Sequence, residues 1–236
     1  MPHRQRRPAN RLLGALTAAD YSRLVPDLQT IAVRPRQVLQ QAGEPIRYVY
    51  FPNGGLFSLT TLLPDGSTVE GATVGKEGMF CLEALLHDEA IAVSTAMLQV
   101  PGGDVVRLPM AALRREVAAR SALARMMGLY AQVAIAQMMQ SAACNALHQV
   151  HERCARWLLV THDRIGAPEF RLSHELLAVM LGTRRPTVTL VARALQQTGL
   201  ISYTHGRVTI LDRAGLENAA CPCYAILRAQ FDRLPR

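Results

Sequence analysis

The stretch Ser173-His174-Glu175-Leu176-Leu177-Ala178-Val179-Met180-Leu181-Gly182-Thr183-Arg184-Arg185-Pro186-Thr187-Val188-Thr189-Leu190-Val191-Ala192-Arg193-Ala194-Leu195 reads as two short helices about a tight turn. Ser173 can cap the first helix. Leu176, Leu177, Met180 and Leu181 then follow at the spacing of one inward face. Ala178 is small where two crossing helices touch. Gly182 falls at the helix end, where a left-handed backbone is wanted. The second helix begins at once, with Pro186 in the first turn, where a missing N–H costs little. Its Val188, Val191 and Leu195 share the face that packs on the first helix. Thr183, Arg184, Arg185, Thr187 and Thr189 point away from that core, and Arg193 lies further along. Helix, glycine turn and helix at these offsets predict a helix-turn-helix whose second helix enters a DNA major groove N-terminus first. Arginine there can take two guanine acceptors, and threonine can meet phosphate or a thymine methyl. A helical hairpin packed inside an enzyme is the competing reading.

Downstream, Gly199 to Tyr203, Thr204-His205-Gly206-Arg207 and Val208 to Leu211 predict a tight hairpin, which suits a wing beside a recognition helix. His205 and Arg207 at its tip are candidates for phosphate or minor-groove contact; a solvated turn fits them equally. Upstream, a long helix is predicted from about Ser121 to Ala146, preceded by a shorter one over Pro109 to Arg120. Met126, Leu129, Val133, Ala136, Gln140 and Ala143 recur at spacings of three and four, a heptad-type seam that predicts pairing with a second copy. A helix packed inside one chain would carry the same pattern.

The region before it differs in texture. Strand-like runs at Tyr48–Phe51, Leu56–Leu63, Thr68–Val74, Ala92–Val100 and Asp104–Leu108 alternate with turn signals such as Asp65-Gly66. They predict a small β-barrel or roll, after a short helix from Asn10 to Leu24 in which Thr17 caps a second turn. The fold class is therefore α+β. Residues 1–120 form a β-roll, 121–146 a dimerisation helix, and 147–236 a winged helix-turn-helix.

Composition agrees with a polyanionic partner. The 236 residues carry a net charge of +8, and half are hydrophobic, which allows a sizeable core. The basic residues are nearly all arginine; Lys76 is the one lysine. A run of about 18 apolar residues, which a membrane-spanning helix needs, is missing. The basic start, His3-Arg4-Gln5-Arg6-Arg7, reads as a solvated arm. Five scattered cysteines argue against a disulfide framework and for a reducing cytoplasm.

In the order of its parts and in particular residues, the chain resembles the Crp/Fnr family of transcription regulators from about Asn10 to Arg213. Tyr48 to Phe51 with Gly54-Gly55, Asp65-Gly66 through Gly75-Lys76-Glu77-Gly78-Met79, His151 to Leu159, Leu181 to Val188 and the wing carry the resemblance. It implies a cyclic-nucleotide-binding-like sensor roll, a dimer formed by the long helix, and DNA-binding heads that an effector reorients. Arg185 falls where the family often places a base-reading arginine. Two positions depart: Pro186 stands where a glutamate commonly follows, and Leu190 where a later arginine lies. The sensor departs further. Leu82 occupies the place of the glutamate that holds the ribose, Glu83 is one position off, and Ala92-Val93-Ser94-Thr95 lacks the arginine that meets the cyclic phosphate. A buried phosphate without a countercharge is costly, so cyclic AMP bound in the family manner is not expected. Glu70, Glu83, Ser94 and Thr95 are candidates for a remodelled effector pocket whose ligand is unknown.

No cofactor and no metal site are predicted. Cys221-Pro222-Cys223 would need further ligands, and Cys144, Cys154, His148 and His151 could supply them only if the fold brings them near. The pattern lacks an N-terminal cysteine cluster for iron–sulfur chemistry, and His3 and His87 are isolated. Nucleophile elbow, phosphate loop and paired carboxylates are likewise missing, so no enzymatic activity is expected. The sequence thus predicts a homodimeric regulator on a double-stranded DNA operator, with RNA polymerase a further candidate partner. A small-molecule or redox sensor signalling mainly through protein contacts is the alternative, and Arg184-Arg185 favours the DNA reading.

Overall fold

A computed structural model describes residues 7–235; the basic arm His3–Arg6 lies outside the described residues. The chain opens with two short helices, α1 (Arg11–Gly14) and α2 (Ala18–Leu24), rather than one. The side chains of Asn10 and Thr17 cap them, each accepting from backbone N–H groups of the first turn. Asn10 is fully buried and also donates to the carbonyls of Pro52 and Gly78, so the cap anchors α1 to the roll.

The roll comprises β1 (Gln29–Ile31), β2 (Val38–Gln40), β3 (Tyr48–Pro52), β4 (Leu56–Leu62), β5 (Thr68–Val74), β6 (Thr95–Val100) and β7 (Val105–Pro109). Two antiparallel sheets result, ordered β1-β7-β3 and β2-β6-β4-β5. The predicted runs became β3 to β7; the short edge strands β1 and β2 carry too little alternation to be read. Between the sheets, Tyr50, Phe57 and Phe80 pack ring on ring, with centroids 4.8 Å and 5.1 Å from Phe80. A short 3-10 turn spans Leu82–Leu85.

Helix α3 (Met110–Ala118) leads into α4 (Ala122–Leu147), whose first turn is capped by the Ser121 hydroxyl. One stripe of α4, Leu123, Met127, Tyr130, Ala134, Gln137, Ser141 and Cys144, is buried within the same chain. Gly78 makes this packing possible: a Cβ there would stand 2.1 Å from the Tyr130 ring. The chain leaves α4 at His148 in extended backbone and re-enters helix as α5 (Val150–Ile165).

The C-terminal head follows with β8 (Glu169–Arg171), α6 (His174–Met180), α7 (Arg185–Gln197), β9 (Ile201–Thr204), β10 (Arg207–Ile210), α8 (Arg213–Ala219) and α9 (Cys223–Phe231). Its sheet has the order β8-β10-β9. Its core gathers Trp157, Leu158, Leu177, Val188, Leu195, Ile201 and Leu216, and Leu56 and Val100 of the roll join the same cluster. Head and roll therefore share apolar packing. Among the described residues no helix is long and apolar enough to cross a membrane.

Candidate nucleic-acid interface

The turn between α6 and α7 is built as its residue types demand. Ser173 Oγ accepts from Leu176 N–H at 3.2 Å. Gly182 takes φ +56°, where only glycine is unstrained, and Thr183 N–H closes on the Ala178 carbonyl at 2.9 Å. Arg184 is the N-cap of α7 and Pro186 sits in its first turn. The helix buries Val188, Ala192 and Leu195; Val191 is only half-buried, so the packed face is turned slightly from the predicted one. Arg153 of α5 supports the turn from beneath, donating to the Leu181 carbonyl at 3.0 Å and to Asn145 Oδ1 at 2.9 Å. Sequence reasoning missed this residue, because one partner lies 28 positions on and the other across the break between α4 and α5.

On the outer surface, Arg184, Arg185, Leu190 and Arg193 are exposed, and Thr183, Thr187 and Thr189 are partly so. Arg185 Nε pairs with Glu175 Oε1 of α6 at 2.7 Å, and both side chains stay largely in solvent. Such an exposed pair is worth about 0–1 kcal/mol and yields readily to a stronger anion. The Thr189 hydroxyl donates to the Arg185 carbonyl at 3.1 Å and lies 3.0 Å from His174 Nδ1. Burial, against Glu175 and with Arg185 and Arg193, lowers the His174 pKa. Ser173 Oγ is the cap of α6, and its hydroxyl proton is left to donate elsewhere.

The hairpin is the predicted one. His205 and Gly206 form its two-residue turn with φ +49° and +71°, the pair of left-handed residues that matches strand twist. His205 is exposed at the tip. Arg207 is exposed too, and its guanidinium pairs with Glu169 of β8 across the sheet.

The six predicted seam residues do not share one exposed face of the chain. Val133 is only 3% exposed in the chain's own core, and Met126 and Leu129 are half-buried against that core. Ala136 is half-buried, Gln140 donates to Cys223 Sγ at 3.0 Å, and Ala143 alone of the six is fully exposed. The stripe that stands free is Gly128, Gln132, Ile135, Met139, Ala142 and Ala146, at spacings of four and three. Ile135 and Met139 are 54% and 70% exposed. Periodicity alone could not separate the two stripes, because α4 is apolar around most of its girth.

The four effector candidates differ in what they touch. Glu83 Oε1 accepts from Val93 N–H at 2.9 Å, and Thr95 Oγ1 accepts from Ala42 N–H at 3.2 Å. Ser94 is half-buried just ahead of β6. Glu70 is fully engaged elsewhere: its carboxylate accepts from Ser58 Oγ at 2.5 Å and from the indole of Trp157 in α5 at 2.8 Å. It belongs to a junction between roll and head. Nearby, Arg164 Nε pairs with Glu77 Oε1 at 3.1 Å, both 5% exposed, while the same guanidinium reaches Thr73 and donates to Gln137 Oε1 at 2.9 Å. Burial pushes the Glu70 carboxyl up to about 7, despite the bonds from Ser58 and Trp157.

Beside this junction lies a crevice of about 250 Å³, lined by Arg11, Lys76 and Glu77 on the roll side and Asp163, Arg213 and Arg228 on the head side. The Lys76 ammonium sits close to Gly166, the left-handed cap of α5.

The five cysteines divide. Cys81 lies in the roll core and Cys154 in the head core. Cys144, Cys221 and Cys223 gather with His148, where no metal site was expected; Cys154 and His151 are not part of the group.

Comparison with known proteins agrees with this architecture. Residues 30–120 match the model of the cyclic nucleotide-binding domain, and residues 152–219 match the Crp-like helix-turn-helix domain. The transcriptional regulator LdrP of Thermus thermophilus is 30% identical over 193 residues, covering 78% of this chain and 93% of that protein. The structure of TTHB099, a CRP-family transcriptional regulator also from Thermus thermophilus, is 27% identical with a TM-score of 0.62, covering 81% of this chain and 96% of that one. FixK2 from Bradyrhizobium japonicum shares the fold at 20% identity and a TM-score of 0.70, covering 82% and 98%. A roll that matches the cyclic nucleotide-binding domain, a long helix and a winged helix-turn-helix, together with a relative of this identity and coverage, place the chain in the Crp/Fnr family of transcription regulators.

Proposed function

We propose that the chain acts in the cytoplasm as a homodimer that binds a palindromic DNA operator through α7, and that its roll does not take a cyclic nucleotide in the family manner. The observation that carries the DNA reading is the exposed pair Arg184 and Arg185 at the N-terminus of an amphipathic helix held on a rigid glycine turn. Its amide N–H groups and guanidinium forks face outward together, which suits phosphate and guanine edges. His205 and Arg207 on the wing extend the same basic surface. Pairing through the free stripe of α4 would present two such helices to successive major grooves, about 34 Å apart.

The nucleotide reading is disfavoured by chemistry. The segments Phe80–Leu86 and Ala92–Thr95 contain no arginine or lysine, and Glu83 and Thr95 already satisfy backbone N–H groups. Selection from a random duplex pool, with and without cyclic AMP, tests both parts. A two-fold symmetric site enriched equally in both arms is the expected result. Enrichment only with cyclic AMP overturns the sensor reading, and enrichment in neither arm removes the support for operator binding without an added effector.

A further inference from the structure

We propose that Cys144, His148, Cys221 and Cys223 bind one zinc ion in a closed tetrahedral site that pins the end of α4 to the start of α9. Cys144 lies in the last turn of α4 and His148 is its C-cap, four residues on, so both side chains project from one helix face. Cys221 and Cys223 flank Pro222, the N-cap of α9. The four donor atoms all lie within 4.8 Å of one another. Cys144 Sγ is 3.4 Å from Cys221 Sγ, and Cys223 Sγ is 3.5 Å from His148 Nδ1. Zinc bonds of about 2.3 Å to sulfur and 2.0 Å to nitrogen put tetrahedral edges at about 3.5–3.8 Å, so those two pairs already stand near the required spacing, and the widest separation closes by at most about 1 Å.

The surroundings fit an ion better than apolar packing. The three cysteines are buried and form a cluster of their own, separate from both apolar cores. Three thiolates and a neutral imidazole around Zn²⁺ leave one net negative charge. The guanidinium of Arg156, 8% exposed, lies within electrostatic reach of Cys144 and Cys221, and its Nε has no hydrogen-bond partner among the described residues. Gln140 Nε2 donates to Cys223 Sγ at 3.0 Å, an outer contact that orients a ligating sulfur. Soft sulfur donors with one imidazole select zinc over harder cations, and donors this close together suit a single ion rather than a multi-iron cluster. On binding, each cysteine loses its thiol proton to solvent, three per ion, and the metal keeps its oxidation state.

The site spans the link at His148 and Gln149, where α4 ends and the head begins. A bound ion would fix that link. The test uses the full chain, expressed with zinc in the medium and purified under reducing conditions without chelator. One zinc per chain by elemental mass spectrometry is expected, and the Cys221→Ser, Cys223→Ser double variant should fall to background. Should that variant fail to fold, cobalt titration of the metal-stripped wild-type chain decides: a tetrahedral thiolate–cobalt spectrum, displaced by one equivalent of zinc, is expected. A stripped chain that takes up no cobalt overturns the proposal. A metal-free preparation joined by a Cys144–Cys221 disulfide, or one holding iron with acid-labile sulfide, overturns it as well.

Discussion

The indole N–H of Trp157 donates a 2.8 Å hydrogen bond to Glu70 Oε1, joining the first helix of the head to an edge strand of the roll. The carboxyl is completely buried, and burial holds its pKa at about 7. In the unfolded chain it ionises near its ordinary 4.5. Between those values the native chain keeps a proton that the unfolded chain has lost. The stabilising contribution is therefore full below the unfolded value, declines as pH rises towards about 7, and stays lost above it. Trp157 is the single tryptophan, so its emission reads this junction alone. An inflection near pH 7 is expected in the wild-type chain and none in Glu70→Gln, which keeps an oxygen acceptor but cannot ionise. An unchanged inflection in that variant assigns the titration to another group.

Arg164 and Glu77 form the second tie between head and roll, and both are shut away from solvent. Removing one member of a buried pair strands the other charge, at a cost of about 3–5 kcal/mol. Arg164→Ala should therefore lower the urea midpoint markedly, and Glu77→Gln in the same chain should restore part of the loss. A single variant as stable as wild type would mean that water reaches the carboxylate.

The exposed contact of Arg185 with Glu175 holds the guanidinium away from the groove that the proposal gives it. If it reads a base, Arg185→Ala should weaken binding to the selected operator by about 1–3 kcal/mol at fixed salt and relax preference at one position per half-site. Glu175→Ala frees the arginine and should tighten binding slightly or leave it unchanged. Anisotropy titrations measure both; an unchanged operator affinity for Arg185→Ala removes its assigned role.

The free stripe of α4 gives a solution test. Ile135→Glu with Met139→Glu places charges at the two large apolar residues of that stripe and leaves the chain's own core untouched. Light scattering at micromolar concentration should give a dimer mass for wild type and half that for the variant. A variant that stays dimeric locates the interface elsewhere.

What the sequence made legible was local. The cap at Ser173, the left-handed Gly182, the two-residue turn at His205-Gly206 and the long apolar run of α4 each depend on neighbours a few residues away. What it hid was assembled from afar. Trp157 meets a carboxylate 87 positions back, and Cys144 meets a thiol 77 positions on. Glu70 was read as a pocket residue because a charged group on a strand faces either a ligand or another domain, and the strand pattern does not say which. The two stripes of α4 could not be told apart for a related reason. Both are apolar, and only the place of Gly78 beneath Tyr130 settles which one turns inward.

The crevice between roll and head holds Lys76, the one lysine in the chain. Its ammonium is the only side-chain amine an acylating dye can take, and it lies near the cap of α5, the same helix that carries Trp157. The molecule thus has a native donor and a single side-chain attachment point for an acceptor on opposite sides of one junction. Energy transfer between them would report any change in the spacing of roll and head, with no engineered cysteine to disturb the thiol cluster.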